Sequence, residues 1–314
     1  LLQAGMDLPN PVISVRHRSG PVYYWYEALS VQYLRSDRPE FEAKREGPTP
    51  TLSVHDVVVD DLGELAWHLR TLHAIHNTLG ARIVALGGVW GKYAANAPQK
   101  ARDQYGMELV EVSYDDFASR ITAALADTEK MRLAEKWTDR YLAINGTSLE
   151  TERSFVVNAF VLYGLFKELM SEADAPVFTI RDCMGAIMPL SKTTACLSLS
   201  LMNDEGTLAL CESDFVVVPP AVLLYHLCGT PVFMHNSTFP HDAVVTCAHC
   251  TGPRRMDGSR YESARIVTHY ESEYGAAPKV EMPLGTKVSF LNPEYAVGRW
   301  VGCRGEVAAS GQAA

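Results

Sequence analysis

The chain has 314 residues, 28 basic and 37 acidic, with a formal net charge of −9; 47% are hydrophobic and 21% charged. That apolar content offsets chain entropy and excludes disorder as the main state. An acidic chain whose nearest approach to a basic patch is the pair Arg254-Arg255 is not expected to bind nucleic acid by bulk charge.

No run reaches the roughly 18 apolar residues of a bilayer span, so no membrane partner is expected. Seven cysteines, at 183, 196, 211, 228, 247, 250 and 303, are an odd count in a chain with a large core. Reduced thiols and a cytoplasmic location are expected, not a secreted disulfide framework.

The sequence opens on Leu1, and residues 1–50 read as the tail of a truncated N-terminal domain plus a linker, broken by Pro9, Pro11, Pro21, Pro39, Pro48 and Pro50. Within it Tyr23-Tyr24-Trp25-Tyr26 reads as a packed strand or helix edge. From 51 to 175 strand and helix patterns alternate, as in an α/β domain. Leu62, Leu65, Leu69, Leu72, Ile75 and Leu79 recur at helical spacing behind an Asp61/Glu64 start signal, and Gly80 stops that helix. Residues 82–87 form a buried strand, Pro98 opens a helix that Gly106 closes, and 107–112 form the next strand. Ser113 with Asp116 caps a helix, helices follow to about 173, and 176–180 is again a strand. Strands separated by helices predict a parallel sheet with helices on both faces.

The region 176–314 is expected to be a second, C-terminal catalytic α/β unit with a β-rich end. It should carry a helix at 193–202, a strand at 207–211, a helix at 215–227 and strands at 231–234 and 243–247. Short Gly- and Pro-separated runs at 265–268, 279–282, 286–290 and 296–301 predict a small antiparallel unit.

Three ligand-type residues then stand out by position. Glu212 follows the strand ending at Cys211, His235 follows the strand ending at Met234, and His249 closes the strand that starts at Ala243. Ligands bind outside the carboxyl ends of strands in open α/β sheets. If these strands are parallel neighbours, one carboxylate and two imidazoles converge, a set suited to a divalent ion of the Mn, Co or Zn kind. Asp214 and Asn236 lie nearby as orienting polar groups. The Cys247/Cys250 pair has no second pair to complete a structural zinc site, so buried thiols are expected there. Gly87-Gly88-Val89-Trp90-Gly91 lacks the spacing and the Lys-Ser/Thr of a nucleotide loop. No G-x-S-x-G occurs.

Asn203-Asp204-Glu205-Gly206, the run from Ala209 to Asp214, Gly229 to Met234, and Ala248-His249-Cys250 follow one another in order. As a set they resemble the L-fucose/L-arabinose isomerase family, best over 176–305 and more weakly over 55–175. The resemblance implies a fucose-isomerase-like α/β fold and aldose–ketose isomerisation of a sugar with Mn²⁺, or Co²⁺ in its place, through an enediol. It also implies a homo-oligomer, trimer or hexamer. Glu212 matches a glutamate that is both metal ligand and acid/base, and His249 matches a ligand histidine. His235 stands where arabinose isomerases carry a second glutamate, so one of two carboxylates is replaced. A further histidine near the family's C-terminus has no match after His269.

The expected site is therefore Glu212 and Asp214 as catalytic residues and Glu212, His235 and His249 as metal ligands. Asp182, Asn203, Asn236, Arg254 and His269 are expected to contact substrate hydroxyls. A metal-dependent epimerase or lyase is the alternative chemistry, and a non-catalytic sugar-binding or regulatory protein on the same scaffold is the alternative class.

Overall fold

The structure is a computed structural model that describes residues 13–15, 57–59, 61–295 and 298–311. The chain divides into two compact units, 1–76 and 77–314. In the first, strand β1 (Ile13–Val15) pairs in parallel with β2 (Val57–Val59), and helix α1 (Leu62–Thr78) begins. Asp61 caps α1 as its spacing predicts, taking the Glu64 N–H on Oδ1 at 2.9 Å. Apart from β1, the expected tail and linker at 1–50, with its Tyr23–Tyr26 run, lies outside the described residues.

The second unit runs β3 (Arg82–Leu86), α2 (Ala97–Tyr105), β4 (Glu108–Val112), α3 (Tyr114–Ala126), α4 (Thr128–Leu142), β5 (Thr147–Leu149) and α5 (Arg153–Glu172). Then come β6 (Val177–Ile180), one π-helical turn (Cys183–Ile187), α6 (Met188–Ser191), α7 (Cys196–Asp204), β7 (Leu208–Leu210) and α8 (Val218–Cys228). Six strands close it: β8 (Asn236–His241), β9 (Val244–Ala248), β10 (Ala264–Val267), β11 (Ala277–Val280), β12 (Lys287–Glu294) and β13 (Arg299–Glu306).

Its centre is a four-stranded parallel sheet in the order β4-β3-β6-β7. Alternate residues of each strand face opposite layers. Val84, Leu86, Phe178 and Ile180 pack with Phe117, Ile121, Leu162, Phe166 and Leu199 of α3, α5 and α7. Ile83, Val177, Leu208 and Leu210 pack with Ala97, Ala101, Val218 and Val222 of α2 and α8. Each fully buried side chain of this size contributes about 1.5–3 kcal/mol by leaving water. The expected caps form: Pro98 lies in the first turn of α2, Gly106 ends it at φ +63°, and Ser113 Oγ accepts the Asp116 N–H.

The expected boundary near residue 175 does not divide the structure. β6, beyond it, pairs with β3, before it, and β5 pairs in parallel with β10 in a second sheet, β11-β10-β5. A sheet built from both sides of residue 175 leaves no seam there. Helix α5 lies between the two sheets: one side joins Phe178 and Leu199, the other packs Val156 and Ala159 with Ile266 and Leu201. That position accounts for its composition. It is the one described helix long and apolar enough to cross a membrane by length and composition, and its apolar residues are the core. The predicted antiparallel character after 260 is present in β10–β11 and β12–β13. Residues 231–234, expected as a strand, carry no regular secondary structure. The paired strand is β8, which forms an antiparallel hairpin with β9.

Two expected substrate contacts are internal struts. Asn203 is 2% exposed; its Nδ2 donates to Leu199 O at 2.9 Å and Ala209 O at 2.6 Å, and its Oδ1 accepts the Ala209 N–H at 3.2 Å. It ties α7 to β7 and has no surface to offer a sugar. Arg254 is fully buried, its Nε donating to Glu262 O at 2.9 Å and its guanidinium lying over the Tyr141 and Tyr261 rings. Its main-chain N–H donates to Asp204 Oδ1, and burial pushes the Asp204 carboxyl up to about 6.

Asn203→Ala should lower stability by about 1–3 kcal/mol in denaturant unfolding, because main-chain groups of Ala209 lose their buried partner. Loss of sugar binding at unchanged stability would return Asn203 to the site. For Asp204 the folded state binds its proton more tightly than the unfolded chain, so its contribution is full at low pH and is lost as pH rises through about 6. Asp204→Asn should remove that slope from the stability–pH curve. Superimposable wild-type and variant curves would refute the assignment.

Candidate functional site

The strand order steps one way from β3 to β4 and the other way from β3 to β6. The carboxyl ends of β3 and β6 thus flank the switch in strand order, the place where such sheets hold ligands. Gly87, at the end of β3, has φ +82°, and a Cβ there would meet the Tyr114 ring at 2.5 Å. Only glycine lets the chain turn that close to Tyr114.

The loop after β3 then clamps the loop after β7. Trp90 N–H donates to Ser213 O at 3.3 Å, Phe215 N–H donates to Trp90 O at 2.9 Å, and the Trp90 indole N–H donates to Glu212 O. Ser213 Oγ donates to Gly88 O at 2.7 Å. Within this clamp Glu212 and Ser213 are both left-handed, at φ 63° and 48°. Such a conformation costs a non-glycine residue about 1–2 kcal/mol, and strain of this kind persists where surrounding contacts over-determine it. Here it aims the Glu212 carboxylate out of the sheet end.

Two groups meet that carboxylate. Lys92 Nζ lies 3.3 Å from Oε2 and His249 Nε2 lies 3.7 Å from Oε1. The His249 imidazole first, then the Lys92 cation, hold the Glu212 carboxyl below the usual carboxylate range against the opposing effect of burial. Asp214, expected as catalytic, is 5% exposed, and its Oδ1 accepts the Lys92 and Val216 N–H groups at 3.0 Å each. It shapes the clamp from behind, and Lys92 carries its effect to Glu212.

The two histidines do not come from parallel neighbours of β7. Both belong to the base of the β8–β9 hairpin. Asn236 pairs with Ala248, so the same antiparallel register carried one residue outward sets His235 opposite His249. His249 Nδ1 lies 2.9 Å from Thr251 Oγ1, and its side chain is 5% exposed. His235 sits edge-on to Phe290 with Nδ1 3.3 Å from Ser237 Oγ. Burial, then proximity to His249, lowers its pKa and favours the neutral ring. Asn236 is exposed at the start of β8. Asp182, also exposed, caps the π turn by accepting the Gly185 N–H at 3.1 Å.

His269 is 9% exposed, and a nitrogen of its ring lies within 4.8 Å of the sulfurs of Cys196 and Cys250, which lie equally close to each other. Sequence reading did not single out Lys92, Trp90 or Cys196. Lys92 follows a glycine loop examined only for phosphate chemistry, and Cys196 meets its partners from 54 and 73 residues away, a distance no local pattern spans.

Comparison of the chain with protein-family models and with curated proteins finds no match.

Glu212's ionised form contributes stability above the ordinary carboxylate range, and that contribution is lost as pH falls through its lowered folded value. In Lys92→Met the Glu212 carboxyl should titrate at higher pH than in the wild type, read by carboxyl-carbon NMR with Glu212→Gln as the assignment control. Identical titration in both proteins would refute the ion pair.

Proposed function

We propose that the chain is a metal-dependent aldose–ketose isomerase acting on a sugar, with Glu212, His235 and His249 holding an ion of the Mn²⁺ or Co²⁺ kind. The observation that carries this reading is the Glu212–His249 pair. At 3.7 Å the two donor atoms are too far apart for a good hydrogen bond. They are close to the separation of two ligands sharing one ion through bonds of about 2.0–2.2 Å. The Nδ1 contact to Thr251 leaves Nε2 facing the carboxylate, the second-contact pattern usual for metal-binding histidines.

Glu212, His235 and His249 would hold the ion, which would supply Lewis-acid activation of the sugar's carbonyl and hydroxyl and so acidify the neighbouring C–H. The chain's own residues do the rest. Glu212, held ionised by His249 and Lys92, takes that proton and returns it to the neighbouring carbon, so aldose and ketose interconvert with no net gain or loss of atoms. With His235 in place of a second carboxylate, both carbon transfers fall to Glu212. His235, as a ligand, stays in its neutral form, and the hydroxyl proton moves from one sugar oxygen to the next through solvent. Lys92 supports negative charge beside the carboxylate, and Trp90 fixes the backbone from which Glu212 projects. On this reading the working protein is a cytoplasmic homo-oligomer, a trimer or hexamer.

The test is turnover of an aldose panel by the full chain with Mn²⁺ or Co²⁺, read as ketose formation and as solvent-deuterium incorporation at carbon. Glu212→Gln should cost about 10²–10⁴-fold, the usual worth of a positioned acid/base group. Wild-type turnover in Glu212→Gln, or no ketose and no exchange with any aldose, would overturn the proposal.

A further inference from the structure

A second donor cluster lies in the core beside the site just described, and that site does not use it. Cys196, Cys250 and His269 come from three separate elements: the first residue of α7, the loop after β9 and the loop after β10. Their donor atoms lie within 4.8 Å of one another. All seven cysteines are free thiols. Two more thiols adjoin the cluster. Cys183 lies close to Cys196 and accepts the Ala195 N–H on Sγ at 3.2 Å, and Cys211 lies close to both.

We propose that Cys196, Cys250 and His269 form a binding site for a thiolate-preferring divalent ion of the Zn²⁺ class, separate from Glu212 and its histidines. Two sulfurs and one imidazole nitrogen are three of the four donors of a tetrahedral zinc centre, and solvent or Cys183 completes it. Closing the set from 4.8 Å to the spacing that Zn–S bonds near 2.3 Å and Zn–N bonds near 2.0–2.1 Å demand needs shifts of about an ångström in side chains alone.

Cys196 opens a nine-residue helix, whose dipole partly offsets the cost of placing a ligating thiolate there. Without an ion, the Cys183 contact lowers the Cys196 pKa, but the Cys250 thiol and burial together raise it well above its ordinary value. Metal binding would therefore release protons from the thiols it ligates, and affinity rises with pH. His269 Nδ1 accepts the Glu271 N–H at 3.3 Å, and Ser272 Oγ lies at the same distance. Ligation through Nε2 requires the tautomer with the proton on Nδ1, which then donates to Ser272 Oγ and gives up the long Glu271 contact. The donor set also explains why this site discriminates against the first: sulfur ligands select Zn²⁺ over Mn²⁺, whereas a carboxylate with two imidazoles accepts either.

The test is titration of the reduced, chelator-stripped full chain with Co²⁺, followed by absorbance. A near-ultraviolet thiolate-to-cobalt charge-transfer band should appear in the wild type, saturate at about one Co²⁺ per chain in Glu212→Gln, where the first site is disabled, and be displaced by Zn²⁺. The band should persist in Glu212→Gln and vanish in Cys250→Ser and in His269→Gln, with circular dichroism checking the fold of each variant. Absence of the band in the wild type overturns the proposal whatever the variants do. A band that survives Cys250→Ser overturns it too, since the sulfur would then come from elsewhere, such as Cys247 and Cys303.

Discussion

The candidate site depends on one backbone constraint: the splice between residues 88–92 and 212–215. Trp90 receives and gives main-chain hydrogen bonds to this loop and adds an indole donor to Glu212 O. Because β6 lies between β3 and β7 in the sheet, this splice passes over the end of β6 and roofs it. Arg181, the first residue after β6, lies with its guanidinium 5.1 Å from the Trp90 ring centre, which fastens the roof to the strand beneath. Two successive left-handed residues are tolerable only inside such a clamp, and they direct Glu212 toward Lys92 and His249. Without the splice the same sequence would relax into an ordinary strand-to-helix turn, and the carboxylate would have no fixed direction.

The site thereby combines two kinds of support. The carboxylate is anchored on a buried parallel sheet packed on both faces. The imidazoles arrive from an antiparallel hairpin with largely exposed strands. Their meeting places opposite chemical characters side by side: an ionised carboxylate with a lysine on one side, a neutral, partly aromatic-walled histidine on the other. Behind them lies a core rich in thiols. Charge is thus graded from the open end of the sheet to the interior, and the chemistry available to a bound ion changes from oxygen and nitrogen to sulfur over that short path.

Much of the architecture was legible in the sequence because it rests on local signals. The Asp61, Ser113, Gly106 and Pro98 punctuation and the alternation of apolar runs fix elements whose formation depends on near neighbours. The place of Glu212, just beyond β7, was legible because the end of a buried strand is marked locally by its apolar run. The errors arose where a residue's role depends on distant partners. Asn203 and Arg254 look like ligands in a list of polar residues, but the turn from α7 to β7 and the loop near Glu262 leave main-chain groups that only a buried amide and guanidinium reach. His235 and His249 were found as residues with the wrong topology. An unpaired segment and a paired strand have the same composition, and only register distinguishes them. The domain boundary failed for the same reason, since sheet membership is a property of pairing across the chain.

The β8–β9 hairpin has a thermodynamic consequence of its own. A two-stranded ribbon is marginally stable by itself, and segments with few buried contacts open locally without global unfolding. Every ligand that bridges Glu212 and His249 must therefore find the hairpin seated, and its apparent affinity is its intrinsic affinity scaled by the seated fraction. A contact that holds the hairpin down, including one from a second subunit against its exposed Phe239, Val244 and Val245, would tighten binding at the sheet end while touching neither ligand nor carboxylate. Amide protection along 236–248 would read the seated fraction of the hairpin directly.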